Sequence, residues 1–239
     1  MSHLKRFFVG DNPEINPTLS GEEFKHAINV LRIKEGDEIL VCDNSGYEYV
    51  CKVIKISKNE LSFSVISKDV CSTETKNNVT LVCGYLKGDK TELVVQKAVE
   101  LGVKEIITFS SKFSSSYINE NKLARLNKVS VEAAKQCGRA IAPKVTYADT
   151  LEKALNACAH VKNKLFACEF ATKNEVDFGS LSGDTTIVIG SEGGFSIEEN
   201  DLALSLGFKT VFLGKRILRA ETACISLTAI VMHSLKELE

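Results

Sequence analysis

Leu213-Gly214-Lys215-Arg216-Ile217-Leu218-Arg219-Ala220-Glu221-Thr222-Ala223, following Ile187-Val188-Ile189-Gly190-Ser191-Glu192-Gly193-Gly194-Phe195, decides how this chain is read. Each stretch is an apolar strand that breaks into a glycine turn carrying fixed charge, and each turn leads into a helical pattern. Glycine lets a ligand approach the main chain, so two such turns side by side make a pocket of backbone N–H and C=O groups suited to a nucleotide-like molecule. Taken alone, Ser191-Glu192-Gly193-Gly194 reads equally well as a tight turn before a helix capped by Ser196. The pair in this order is far more specific.

Outward from that pair, residues 79–239 alternate strand and helix. Strands are expected at 79–85, 105–109, 164–168, 186–189 and 210–213. Helices are expected at 91–101, 119–137, 149–157, 197–205 and 221–236. This alternation predicts a mostly parallel sheet covered on both faces, with ligands beyond the carboxyl ends of the strands. Residues 1–70 read differently. Short β-branched runs at 38–43, 47–56 and 61–66, separated by Asn44-Ser45-Gly46 and Lys58-Asn59-Glu60, predict a small β domain closed into a barrel. A helix from Ser20 to Leu31, with Ser20 and Glu23 as a capping box, interrupts them. The polar, aperiodic residues 71–78 are the expected linker.

With 239 residues, 44% hydrophobic and 26% charged, the composition is that of an ordinary globular protein. The first ten residues lack the apolar run of a signal peptide, and the longest apolar stretch, 223–235, is too short to span a bilayer, so a cytoplasmic location is expected. Eight cysteines contain no CxxC pair, which favours reduced core thiols over a metal site. Cys137 stands beside Gln136 and Arg139 with no histidine to activate it. A net charge of −1 does not mark a nucleic-acid protein. Any RNA contact must come from six arginines, of which Arg6, Arg32, Arg139, Arg216 and Arg219 fall in or beside distinctive segments and Arg125 does not.

Those segments carry a family resemblance. Arg6-Phe7-Phe8-Val9, His26 with Val30-Leu31-Arg32, Lys87-Gly88-Asp89-Lys90, Gln96-Lys97 with Glu100-Leu101-Gly102-Val103, Glu132-Ala133 with Gln136-Cys137-Gly138-Arg139 and Pro143, and the two glycine turns together resemble the RsmE-type ribosomal RNA methyltransferases of the SPOUT superfamily. The likeness runs nearly end to end. It implies a PUA-like N-terminal β-barrel and a C-terminal SPOUT α/β domain with a trefoil knot, although topology rules alone weigh against a threaded chain. One departure is Ser191, where the family usually has proline; losing a fixed φ is expected to loosen that turn.

The resemblance implies S-adenosyl-L-methionine as cofactor, held by Ala167, Cys168 and Glu169, by Ile189, Gly190 and Gly194, and by Leu213, Gly214, Ile217 and Leu218. For Ile217 and Leu218 plain core packing is the competing reading. The implied reaction methylates N3 of one uridine in 16S rRNA, and no metal is needed. Uracil N3 is an imide that is mostly protonated at neutral pH, so a cation facing O2 and O4 would stabilise the anion. Arg219 is the first choice for it and Arg6 the second, since guanidinium stays charged and offers planar donors. Pairing of Arg219 with Glu221 or Glu192 is the bland alternative. No histidine is an obvious base, so the proton passes to water or to Glu221. RNA contacts are expected from Arg6, His26, Arg32 and Arg139, with a surface or helix-packing histidine as the equal competing reading of His26. A homodimer is implied, with Ile225, Leu227, Ile230, Val231 and Leu235 serving either a partner or the intrachain core.

Two rivals remain. A nucleotide-dependent oxidoreductase lacks GxGxxG after the first strand of the second domain, where Leu86-Lys87-Gly88-Asp89-Lys90 stands instead. A non-catalytic RNA-binding or ribosome-assembly module of the same fold is opposed by the presence of Arg6, Arg219 and both glycine turns.

Overall fold

The computed structural model describes residues 4–113 and 117–238, which fall into two compact units. The first comprises Met1–Glu74 together with Ala134–Ala142, and the second Thr75–Ala133 together with Pro143–Glu239. The division at Glu74 lies inside the polar stretch 71–78, but the return of Ala134–Ala142 to the first unit has no signature in the local sequence.

The first unit is built on β1 (Lys5–Phe8), β2 (Thr18–Ser20), β3 (Glu38–Cys42), β4 (Tyr47–Ile56) and β5 (Glu60–Val70), hydrogen-bonded in the order β1-β3-β4-β5-β2. β1 runs parallel to β3 and the remaining pairings are antiparallel. Among the described residues the ladder does not close, since β1 and β2 stand at its ends. Period-two alternation sends Ile39, Val41, Tyr49, Cys51, Val53, Leu61 and Phe63 into one core with Phe7 and Leu19. The expected helix is shorter than its pattern. α1 (Gly21–Lys25) gives way to a single π turn, His26–Val30, and Arg32 follows with φ 54°. The capping box does not form: Ser20 ends β2 without a side-chain cap, and Glu23 instead accepts from Lys135 Nζ at 2.6 Å. An ion pair with a distant lysine has displaced the local bond.

The second unit holds a six-stranded sheet in the order β11-β9-β10-β6-β7-β8, every pairing parallel. Its strands are β6 (Val79–Gly84), β7 (Glu105–Phe109), β8 (Lys144–Ala148), β9 (Asn163–Ala167), β10 (Thr185–Ile189) and β11 (Lys209–Val211). The helices are α2 (Lys90–Glu100), α3 (Glu120–Cys137), α4 (Leu151–Ala157), α5 (Ile197–Ser205) and α6 (Ala220–Ser234). β6 and β10 are buried at every residue, as expected of the central strands of a sheet covered on both faces. β8 was not anticipated. Its five residues after Pro143 carry little apolar pattern, with only Val145 fully buried, and the pairing to β7 makes it a strand. α5 starts where Ser196 and Glu199 complete a capping box, Ser196 Oγ accepting from Glu199 N at 3.2 Å and Glu199 Oε2 from Ser196 N at 2.8 Å.

A cofactor-sized cavity at the strand ends

Register sets the site. Ile189 lies abreast of Ala167, and Val211 pairs with the same residue, so β9, β10 and β11 end on one line. The turns that follow enclose a cavity of about 630 Å³. Ala167, Cys168 and Glu169 line it from the first turn, Ile189, Gly190 and Gly194 from the second, and Leu213, Gly214, Ile217 and Leu218 from the third. Thus all ten residues expected for the cofactor are brought together. Its size falls in the range of small-molecule sites, roughly 300–1,000 Å³.

Why the middle turn takes this path can be read atom by atom. Gly194 has φ +68°, and a Cβ there would collide with the Glu169 carboxylate, whose Oε1 accepts from Phe195 N at 3.2 Å. Only glycine combines that φ with that approach. Phe195 then drops into the core, its ring 4.2 Å from that of Phe166, which pins the end of the turn by burying an aromatic side chain. At the other end, a Cβ on Gly84 would strike the backbone of Ser191. Gly214, with φ +98°, has open space around it, leaving room for a ligand against its main chain. These cradles and apolar walls fit a flat base with a thioether stem. Ile217 is fully exposed on the cavity wall, so core packing does not account for it.

Charge at the cavity is arranged by a residue that the sequence reading quoted but gave no role. Lys90, at the start of α2, lines the cavity with its Nζ 3.3 Å from Glu192 Oε1 and 3.7 Å from Glu221 Oε2. Glu192 Oε1 also accepts from Lys87 N at 3.0 Å. Burial pushes the Glu192 carboxyl up, but the Lys87 N–H, its own backbone and Lys90 outweigh this and hold it below the usual carboxylate range. Lys90 therefore takes both carboxylates that were candidate partners for Arg219. Arg219 itself, the residue before α6, is exposed on the cavity wall, and among the described residues no hydrogen bond or ion pair engages its guanidinium. Glu221, in the first turn of α6 where the helix dipole favours a carboxylate, keeps Oε2 buried without a hydrogen-bond partner. Burial pushes the Cys168 thiol up, which makes it a lining group rather than a nucleophile.

The expected RNA-contacting residues all lie in the first unit. Arg6 NH1 is 2.6 Å from Glu48 Oε1 and also donates to Cys42 Sγ and the Arg139 carbonyl. Arg139 is 2% exposed and grips Glu74, whose carboxylate also accepts from the N–H groups of Ala140 and Ile141. In this structure Arg139 is a buried clasp rather than a surface cation, and its partner lies 65 residues away in sequence. His26 sits in the π turn with its ring edge-on to Phe7, and Arg32 follows that turn.

Comparison with known proteins agrees with this geometry. The RNA methyltransferase domain family matches residues 73–232, and the RNA methyltransferase PUA domain matches residues 19–66. A ribosomal RNA small subunit methyltransferase E from Mesomycoplasma hyopneumoniae is 37% identical over 94% of this chain and 97% of its own. The enzyme of that name from Bacillus subtilis is 32% identical over 92% and 93%. Among solved structures, a methyltransferase E from Neisseria gonorrhoeae bound to S-adenosyl methionine superposes with a TM-score of 0.83 at 27% identity, covering 96% of this chain and 97% of that one. A methyltransferase from Legionella pneumophila in complex with the same cofactor gives 0.86 at 26% identity, covering 97% and 98%. The chain belongs to the ribosomal RNA small subunit methyltransferase E family of RNA methyltransferases.

Proposed function

We propose that this protein methylates N3 of one uridine in 16S rRNA, with S-adenosylmethionine in the cavity at the ends of β9, β10 and β11. S-adenosylmethionine-dependent methylation of small-subunit rRNA follows from family membership; the atom, the residue roles and the cavity as its seat are our reading. The observation that carries it is Arg219: a guanidinium on the wall of a nucleoside-sized cavity to which, among the described residues, no carboxylate is paired. When bound, the cofactor supplies a sulfonium methyl, whose S–C bond breaks as the N3–C bond forms. Arg219 faces the uracil O2 or O4 and stabilises the charge left when N3 loses its proton. The proton passes to water or to the Glu221 carboxylate, once that carboxylate is released from Lys90. The three turns hold the reactants in line, which lowers the entropic part of the barrier.

The first unit grips RNA as a PUA-like barrel, with His26, Arg32 and Arg6 as its candidate contacts, and the uridine is unstacked to reach the methyl group. Arg6 remains a second candidate cation, provided RNA displaces Glu48 from it. A trefoil knot formed by the turns of the second unit, a cytoplasmic location and a homodimer complete the proposal. For the dimer, Leu227, Val231 and Leu235 are already committed to the intrachain core, which leaves Ile230 and half-buried Ile225 on α6 for a partner.

The test is incubation with labelled S-adenosylmethionine and unmodified small ribosomal subunits, followed by nucleoside analysis of the 16S rRNA, with Arg219→Ala alongside. N3-methyluridine that Arg219→Ala abolishes is the expected result. Cofactor binding without methyl transfer would mean a different RNA target or a binding-only module.

A further inference from the structure

Residues 110–113, which follow β7, do not line the cavity themselves, yet two of them, Ser111 and Phe113, meet its middle turn and the other two tie the segment to β8 and α5. Ser110 Oγ lies 2.8 Å from Tyr147 Oη at the end of β8. Ser111 Oγ lies 2.9 Å from Ser191 Oγ, and both serines are buried, at 8% and 5% exposure. Lys112 donates its N–H to Glu199 Oε1 at 3.0 Å, the residue whose other carboxylate oxygen caps α5. Phe113 packs so closely on Gly193 that a methyl group there would stand 2.5 Å from the Phe113 Cβ. Ser191 and Gly193 both line the cavity. β7 is not a neighbour of β10, since β6 lies between them. The hydroxyl pair therefore spans a strand to brace a turn that the sheet itself does not hold.

We propose that Ser111 is a positioning residue for the cofactor, acting through the hydroxyl of Ser191. Serine at 191 leaves φ unrestrained, and the buried bond to Ser111 supplies the missing restraint from outside. The turn enters the folded protein already shaped for its ligand, so binding does not have to order it. This inference rests on the cavity being the cofactor site.

The experiment measures S-adenosylmethionine affinity by calorimetry for the full-length protein and for Ser111→Ala, Ser191→Ala and the double variant, with thermal midpoints of the ligand-free proteins beside them. Each single variant is expected to weaken binding by roughly three- to tenfold, the cost of one buried hydrogen bond. The double variant is expected to bind no more weakly than the worse single one, because the two hydroxyls act as one unit. Ser111→Cys, which keeps a donor of similar size, is expected to recover part of the loss. Additive losses, or lower midpoints at unchanged affinity, would overturn the proposal and leave Ser111 as a packing residue. Ala223→Phe separates the two readings by filling the cavity. If it leaves affinity intact, the cavity assignment fails and takes the proposal with it; if it abolishes binding while the serine variants bind normally, only the proposal fails.

Discussion

Arginine does opposite work in the two units. Arg139 in the first unit is buried, with its charge cancelled by Glu74 and its geometry fixed by the N–H groups that converge on the same carboxylate. Arg219 in the second unit is exposed at a cavity, and Glu192 and Glu221, its expected partners, are occupied by Lys90. A guanidinium already satisfied by protein adds to the fold, whereas one left unsatisfied beside a cavity has its interaction energy available for a ligand. Arg6 stands between them, mostly buried and paired with Glu48, and burial at this corner pushes the neighbouring Cys42 thiol up to about 12 despite the guanidinium beside it.

The comparison breaks most sharply at Glu74. Removing Glu74 takes away the carboxylate that the buried Arg139 guanidinium and two backbone N–H groups share, and breaking a buried pair costs about 3–5 kcal/mol. Glu74→Ala should therefore lower the thermal midpoint by on the order of 10 °C, read by near-ultraviolet circular dichroism, and a normal midpoint would mean that the pair with Glu74 does not hold this corner. Arg219→Ala should do the reverse. Its midpoint and cofactor affinity stay near wild type while methyl transfer falls by roughly 10²–10³-fold, the usual loss of a charge-stabilising donor. Single-turnover rates on small ribosomal subunits test this, and equal rates would return the role to Arg6.

That contrast also marks where the sequence was legible. Glycine turns after apolar runs announced the strand ends, and parallel pairing then had to bring Ala167, Ile189 and Val211 abreast. Helix positions followed from caps and periodicity, as at Ser196. What stayed hidden was every partnership made across sequence distance: Glu23 with Lys135, Glu74 with Arg139, Ser111 with Ser191, Lys90 with two acids. A charged or hydroxyl side chain looks the same in a sequence whether it is satisfied or free. The one-residue argument for a loosened turn at Ser191 missed the brace for this reason, since its second hydroxyl sits eighty residues away.

Acid sharpens the comparison further. The Glu192 carboxyl lies below its ordinary value in the folded chain, so the unfolded chain binds more protons as pH falls. Its contribution is fully present above the ordinary carboxylate value near 4.5 and is lost below it, down through the folded value. Glu192→Gln should therefore be less stable than wild type at pH 7 and approach it as the pH drops below 4.5, a convergence that urea titrations at several pH values can follow. Parallel curves would show that Lys87 and Lys90 do not hold this carboxylate.

The smallest effect belongs to the sixth arginine. Arg125 Nε is 2.6 Å from Glu92 Oε1, but its side chain is 65% exposed. It is paired, as Arg139 is, yet in water, where screening and side-chain entropy remove most of the gain. Arg125→Ala should leave both the thermal midpoint, to within about 2 °C, and the methylation rate unchanged. This variant separates pairing from burial. If it destabilises as Glu74→Ala does, the ion pair alone accounts for the arginine clasp; if it is silent, desolvation makes Arg139 structural, and Arg219, which no carboxylate among the described residues engages, keeps the role proposed for it.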